Sequence, residues 1–152
     1  MKGDSVATIM WQRGRRLFST AGILMILTAA AHTAGHFSPP NSPAEEQLLA
    51  AMRNFQIPMG LGMNPSMMDI LGSLSLTVAI TFFALGLINL LLAGSAETTE
   101  RLLRRVTWVN VVWVGGFLSV CYVHHVLPPL TFAVVIEMVL LASLFLPQHK
   151  AA

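Results

Sequence analysis

The stretch SMMDILGSLSLTVAITFFALGLINLLLAG, Ser66 to Gly94, holds one charged residue, Asp69, and it decides the fold class. The hydrocarbon core of a bilayer is about 30 Å thick and takes about 20 apolar residues at about 1.5 Å of rise each. Backbone N–H and C=O groups find no water there, so a crossing segment bonds them internally, as a helix. This run is long enough to cross at a tilt or to project beyond the core.

Working outward, three more runs have the same character: Leu17 to Phe37, Val106 to His125, and Leu130 to Leu146, the last ended by Pro147. The sequence therefore predicts an all-α fold, an integral membrane bundle of four transmembrane helices forming one domain over residues 1–152. Composition agrees. Of 152 residues 55% are hydrophobic and 11% charged, against about 25% charged in a soluble domain. A soluble helical core is excluded, because the runs have no polar faces. Cys121 is the only cysteine, which excludes an internal disulfide. The formal net charge of +2 comes from basic residues beside the apolar runs, which points to topology and not to nucleic acid.

Orientation follows from the excess of Lys and Arg in cytoplasmic loops. With both termini cytoplasmic, Lys2, Arg13, Arg15, Arg16, Arg101, Arg104, Arg105 and Lys150 all lie inside, and of the basic residues only Arg53 lies outside. Trp11 and Trp108 then fall near the inner interface and Tyr122 near the outer one, as aromatic belts do. The expected location is the cell membrane, which in a prokaryote means the inner membrane. The basic start, the apolar run and the Ala29-Ala30-Ala31 triplet also fit a secretory signal. That first run is longer than a signal's apolar region, so we read it as a retained span.

The outer linker, residues 38–65, carries its own signals. Ser42 followed by Pro43 reads as a helix N-cap with proline in the first position, and Glu45 and Glu46 suit the positive end of the helix dipole. Leu48, Leu49, Met52 and Phe55 follow at helical spacing, which predicts a short amphipathic helix over 43–55 lying on the membrane surface. Gln56 to Pro65, with two Gly, two Pro and two Met, reads as an ordered, turn-rich loop. Residues 95–105 form the inner loop, and Pro128 with Pro129 a tight turn between the last two spans.

Ionisable residues inside spans are costly and mark candidate sites. His32 lies about 7 Å outward of the first run's midpoint by helical rise. His36 follows four residues on, and so shares its face. Asp69 opens the second run, His124 and His125 close the third, and Glu137 is near the middle of the fourth. With the stated topology all of these gather in the outer half, and only His149 among the histidines lies elsewhere. Ala30 with Ala34, Ala31 with Gly35, and Gly115 with Gly116 are small residues that permit close approach of another helix or a flat cofactor. Ser73, Thr77 and Thr81 form a hydroxyl stripe below Asp69. Asn89 and Asn110 sit near the inner ends of consecutive antiparallel helices, where they are expected to bond to each other.

Each candidate has two readings. His32 and His36 either lock helix contacts through hydrogen bonds or ligate. Neutral imidazole is a common metal ligand, and a histidine from the first helix with one from the third, His124 or His125, has the makings of a haem clamp. His124 and His125 otherwise mark the interface. Glu137 is either a protonated carboxyl bonded to a hydroxyl such as Ser73 or Thr77, or a proton-handling group acting with His32. Asp69 reads as a capping residue beside Ser66. Nine methionines serve as flexible apolar filler.

Two functions from different classes follow. The first is a cofactor-, metal- or lipid-binding accessory subunit, with haem or a transition metal as the cofactor, in the bilayer with other membrane protein subunits or further copies of itself. The second is a membrane-embedded enzyme acting on a lipid-like substrate, with His32 and Glu137 as its acid–base pair. A proton path through Glu137 and the hydroxyl stripe is weaker, since only Asn89 and Asn110 continue it inward.

Overall fold

The computed structural model describes residues 3–145, with side chains from Gln12 onward. Lys2, Leu146, Pro147, His149, Lys150 and the side chain of Trp11, which carry parts of the topology reading, lie outside the described residues. Five helices follow one another: α1 Gly3–His36, α2 Pro43–Asn54, α3 Met67–Gly94, α4 Glu100–Val123 and α5 Leu127–Phe145. Segments long and apolar enough to cross a membrane lie in four of them, at Gln12–His36, Met67–Gly94, Glu100–Val123 and Leu127–Phe145. The chain is a multi-pass membrane protein, all-α, with no strand among the described residues.

Helix ends follow local chemistry. The Ser42 side chain accepts from the Glu45 N–H at 3.2 Å, Pro43 takes the first turn, and the Glu45 carboxylate accepts from the Asn41 N–H at 2.7 Å. Ser66 and Asp69 cap α3 reciprocally: the Asp69 N–H donates to the Ser66 hydroxyl at 3.1 Å, and the Ser66 N–H donates to the Asp69 carboxylate at 2.9 Å. That is the geometry of a capping box, with Asp in the returning position.

Three boundaries differ from the sequence reading. α1 begins at Gly3, so the basic segment before Leu17 is helical. α4 begins at Glu100 and not at Val106, because the Thr99 hydroxyl caps it by accepting from the Leu102 N–H at 3.3 Å. α5 takes in Pro128 and Pro129, which were expected as a turn. A first helical turn tolerates proline, since its N–H groups have no partner within the helix.

The turn between α4 and α5 is made by the end of α4. The His125 N–H donates to the Tyr122 carbonyl at 3.2 Å and the Val126 N–H to the Cys121 carbonyl at 2.9 Å, with His125 at φ 55°. These bonds form a Schellman motif, which places one residue in the left-handed region.

The described residues divide into two compact units: one takes α1 as far as Thr28 and the chain from Phe82 onward, the other runs Ala29–Thr81. In the first unit buried positions recur at alternating steps of three and four. They are Gly14, Phe18, Ala21, Met25 and Thr28 in α1, Phe82, Gly86 and Asn89 in α3, Leu103, Thr107, Asn110 and Val114 in α4, and Ala133, Ile136, Leu140 and Ser143 in α5. A repeat averaging 3.5 residues keeps one seam of each helix facing its neighbours, the pattern of left-handed packing.

Two contacts set how closely α1 and α3 approach in this unit. A Cβ added at Gly86 would lie 2.6 Å from the Gly22 carbonyl oxygen and 2.8 Å from Ile26 Cγ1, and one at Gly22 would lie 2.9 Å from the Gly86 carbonyl oxygen. Only glycine fits there. Arg15, on α1, donates from Nε to the Ala93 carbonyl and from Nη2 to the Ser95 carbonyl, each at 2.5 Å. A guanidinium on the last carbonyls of α3 meets the negative end of the helix dipole. Trp113 and Phe117 stack with centroids 5.9 Å apart, and Phe82 meets them edge-on at 4.6 and 5.1 Å. α4 packs along α5.

In the second unit the loop after α2 closes on itself. The Ile57 N–H donates to the Pro65 carbonyl, the Met59 N–H to Met63, the Met63 N–H to Gly60 and the Met67 N–H to Phe55, at 2.9 to 3.0 Å. Antiparallel bridges join Gln56 to Ser66 and Gly60 to Met63. Gly60, Leu61 and Gly62 have φ of 83°, 51° and 77°. Positive φ at both central residues of the turn is the type I′ pattern, and the flanking glycines adopt it freely.

Candidate functional site

The histidines of α1 come first. His32 and His36 are half-buried and lie on one face of α1 within the Ala29–Thr81 unit. His32 Nε2 is 2.9 Å from the Ser75 hydroxyl of α3. His36 lies against the backbone of α3, where a Cβ added at Gly72 would be 3.3 Å from its Cε1, and it meets the ring of Phe37 edge-on at 4.9 Å. The register explains this placement. Within this unit Ala29, His32 and His36 follow one another at steps of three and four on α1, and Gly72, Ser75 and Ala79 do the same on α3. Both histidines thus lie on the face of α1 that meets α3 in this unit.

Asp69 belongs to the cap described above; its carboxylate accepts from the Ser66 hydroxyl at 2.7 Å and from the Ser66 N–H. His124 and His125 are exposed, the first as the C-cap of α4 and the second as the left-handed residue of the same turn. Glu137 is half-buried on α5, beside Gly115 of α4, where an added Cβ would be 3.7 Å from its Oε1. Its Oε2 is buried and has no hydrogen-bond partner among the described residues. Glu137 is ten residues along α5 from Leu127, about 15 Å from the turn that holds His124 and His125. Among the described residues no group of three or more His, Cys, Asp or Glu is placed to hold a metal ion.

The hydroxyl stripe turns back on its own helix. Ser73 donates to the Ile70 carbonyl, Thr77 to Ser73 and Thr81 to Thr77, each at 2.8 Å. Serine and threonine in a helix satisfy themselves this way. The sequence reading offered Ser73 and Thr77 as partners for Glu137; each hydroxyl donates within its own helix. It did not single out Ser75, the hydroxyl that reaches across to a neighbouring helix.

Deeper in, Asn89 and Asn110 are both fully buried, at 0% exposure. Asn110 Nδ2 donates to Asn89 Oδ1 at 2.8 Å, the bond the sequence led us to expect. Asn89 Nδ2 points to Met25 Sδ at 3.6 Å, and Asn110 Oδ1 has no partner among the described residues.

The small residues picked out beside His32 and on α4 are not where helices touch most closely. Ala30, Ala31, Ala34, Gly35 and Gly116 are exposed, and nothing lies within 4 Å of a Cβ built on Gly35 or Gly116. Gly22 and Gly86 make the close approach, and the missed signal was their place in the 3.5-residue seam. Family models, curated proteins and solved structures all fail to match this chain.

Proposed function

We propose that this chain is a small accessory subunit of a membrane assembly, and that Glu137 is the group through which it engages a partner helix or a bound ligand. The observation behind this reading is the Glu137 carboxyl, whose Oε2 is buried without a hydrogen-bond partner among the described residues. A carboxyl in mid-span is stable when it finds a donor or a cation, and the half-buried Glu137 side chain meets one on a second helix or a ligand headgroup by turning outward. The chain's four candidate spans and short connections fit a subunit that works inside the bilayer.

In this reading both termini are cytoplasmic and the membrane is the cell membrane, the inner one in a prokaryote. α2 lies on the outer surface with Leu48, Leu49 and Met52 toward lipid. His32, His36, His124 and His125 are the candidate cofactor ligands. No three-donor cluster is present among the described residues, so the cofactor version is ligation of a haem or a transition metal by imidazole. Ser75 would then hold the His32 ring in place, as outer partners of metal-bound histidines do.

Purification of the full chain in mild detergent, followed by native mass spectrometry, metal analysis and a visible spectrum, tests the reading. The expected result is a co-purifying subunit, a second copy or a ligand, retained by Glu137→Gln and lost in Glu137→Leu. A wild-type protein that runs as a bare, colourless monomer overturns it. The Glu137 carboxyl would also serve acid–base chemistry on a lipid-like substrate. That enzyme reading fails if His32→Ala and Glu137→Gln both turn over lipid-like substrates at the wild-type rate.

A further inference from the structure

From Phe55 to Met68 the chain carries no ionisable side chain, and its odd positions read Phe55, Ile57, Met59, Leu61 and Met63. The hairpin bonds fold this stretch so that its apolar side chains turn outward: Phe55 is 59% exposed, Met59 58%, Met63 55% and Leu61 98%. Leu61 is the most exposed of the large apolar side chains among the described residues, and it sits at the tip. Its φ of 51° is a conformation that turns usually give to Gly, Asn or Asp. A water-facing turn would carry one of those polar or small residues. This one holds a leucine there, between two glycines that relax the backbone on either side.

The base of the hairpin is tied to a membrane span. The Met67 N–H that opens α3 donates to the Phe55 carbonyl at the end of α2. α1 ends at His36 and α3 begins at Met67, so the segment between them starts and finishes on one face of the membrane. An uncharged hairpin with one apolar edge, rooted where a span enters hydrocarbon, lies within reach of the headgroup and upper acyl layer. Apolar faces of interfacial segments bury there to a depth of about 5–10 Å. We propose that the 55–67 hairpin is a lipid-seated wedge, with Leu61 and its flanking Met59 and Met63 inserted in the interfacial layer of the membrane that α1 and α3 cross.

The full chain, with Cys121→Ser to remove the native thiol, tests this in vesicles of phosphatidylcholine and phosphatidylglycerol. Nitroxide labels are placed singly at Leu61→Cys, Met63→Cys and, as a control at an exposed position in the α3–α4 turn, Ala96→Cys. Collision with oxygen, which concentrates in lipid, is compared with collision with a water-soluble nickel chelate. Leu61 and Met63 labels should favour oxygen several-fold over the Ala96 label, and Leu61→Asp should return the Met63 label toward the Ala96 value. If the Leu61 label meets the nickel chelate as readily as the Ala96 label, the tip stands in water and the proposal falls. It also falls if the label is shielded from both reagents, because the tip is then buried in protein.

Discussion

Asn89 and Asn110 show what a polar side chain does in this core. Each is fully buried, and their mutual bond is 2.8 Å long. Replacing Asn110 leaves Asn89 Oδ1 without its donor and replacing Asn89 leaves Asn110 Nδ2 without its acceptor, whereas replacing both removes the two amides together. Asn89→Leu or Asn110→Leu should each lower stability by about 1–2 kcal/mol, with the double variant more stable than the sum of the singles implies. Equilibrium unfolding in detergent, read by circular dichroism, decides it; strict additivity would mean that the bond contributes nothing. His32 and Ser75 make the same kind of pair at 2.9 Å. Ser75→Ala and His32→Ala should cost similar amounts, about 0.6 kcal/mol of which is shared coupling. The asparagine bond was legible because two amides on consecutive antiparallel helices had few other partners. Ser75 was not legible, since Ser73, Ser75, Thr77 and Thr81 look alike in sequence and only the helix face separates them. Asp69 was read correctly as a cap, for S-x-x-D ahead of an apolar run is a local signal.

At the level of helices, glycines that look alike differ in what surrounds them. A Cβ at Gly86 meets the Gly22 carbonyl at 2.6 Å, and backbone cannot step aside as a side-chain end can. Gly86→Ala should therefore destabilise by about 1–3 kcal/mol through overpacking. Gly116→Ala meets nothing within 4 Å and should gain up to about 1 kcal/mol from helix propensity. Thermal unfolding of the two variants side by side tests the contrast, and equal effects would contradict the close approach. The end of α4 offers a third case. His125 carries a side chain at φ 55°, where an L residue pays about 1–2 kcal/mol that glycine does not. His125→Gly should raise stability by about 1 kcal/mol, while a His125 side chain that ligates would show a loss of ligand in the same variant. Caps and prolines made the starts of α2 and α3 readable, and Thr99 explains why α4 starts early. The seam was harder to see. Helices bathed in lipid are apolar on every side, so hydrophobicity does not say which face turns inward. Small and polar residues such as Gly22, Gly86, Asn89, Thr107 and Ser143 mark that face here, inverting the pattern of soluble helices.

For the whole molecule, the distribution of charge makes the strongest demand. Arg101, Arg104 and Arg105 follow α3, and Arg13, Arg15 and Arg16 lie on α1, while Arg53 is the only basic residue between α1 and α3. Arg15 is committed to the carbonyls at the end of α3, so that end of α3 and the basic part of α1 belong to the same side of the membrane. A bond within the fold thus agrees with the charge bias about which segments go together, though the bias alone says which side they face. If that side is the cytoplasm, Asn41→Cys should react with an impermeant maleimide on intact cells, and Ala96→Cys only after lysis, both in a Cys121→Ser background. The reverse pattern would overturn the orientation. Replacing Arg101, Arg104 and Arg105 together by Gln removes the basic cluster that follows α3, and a measurable share of chains should then expose Ala96→Cys outside. Arg15→Gln alone predicts something different. It leaves most of the bias in place but frees the Ala93 and Ser95 carbonyls, so labelling sidedness should hold while stability drops by about 1 kcal/mol. Separate responses of sidedness and stability would show that the basic rim does two jobs: the α4 arginines orient the chain, and Arg15 fastens α1 to α3.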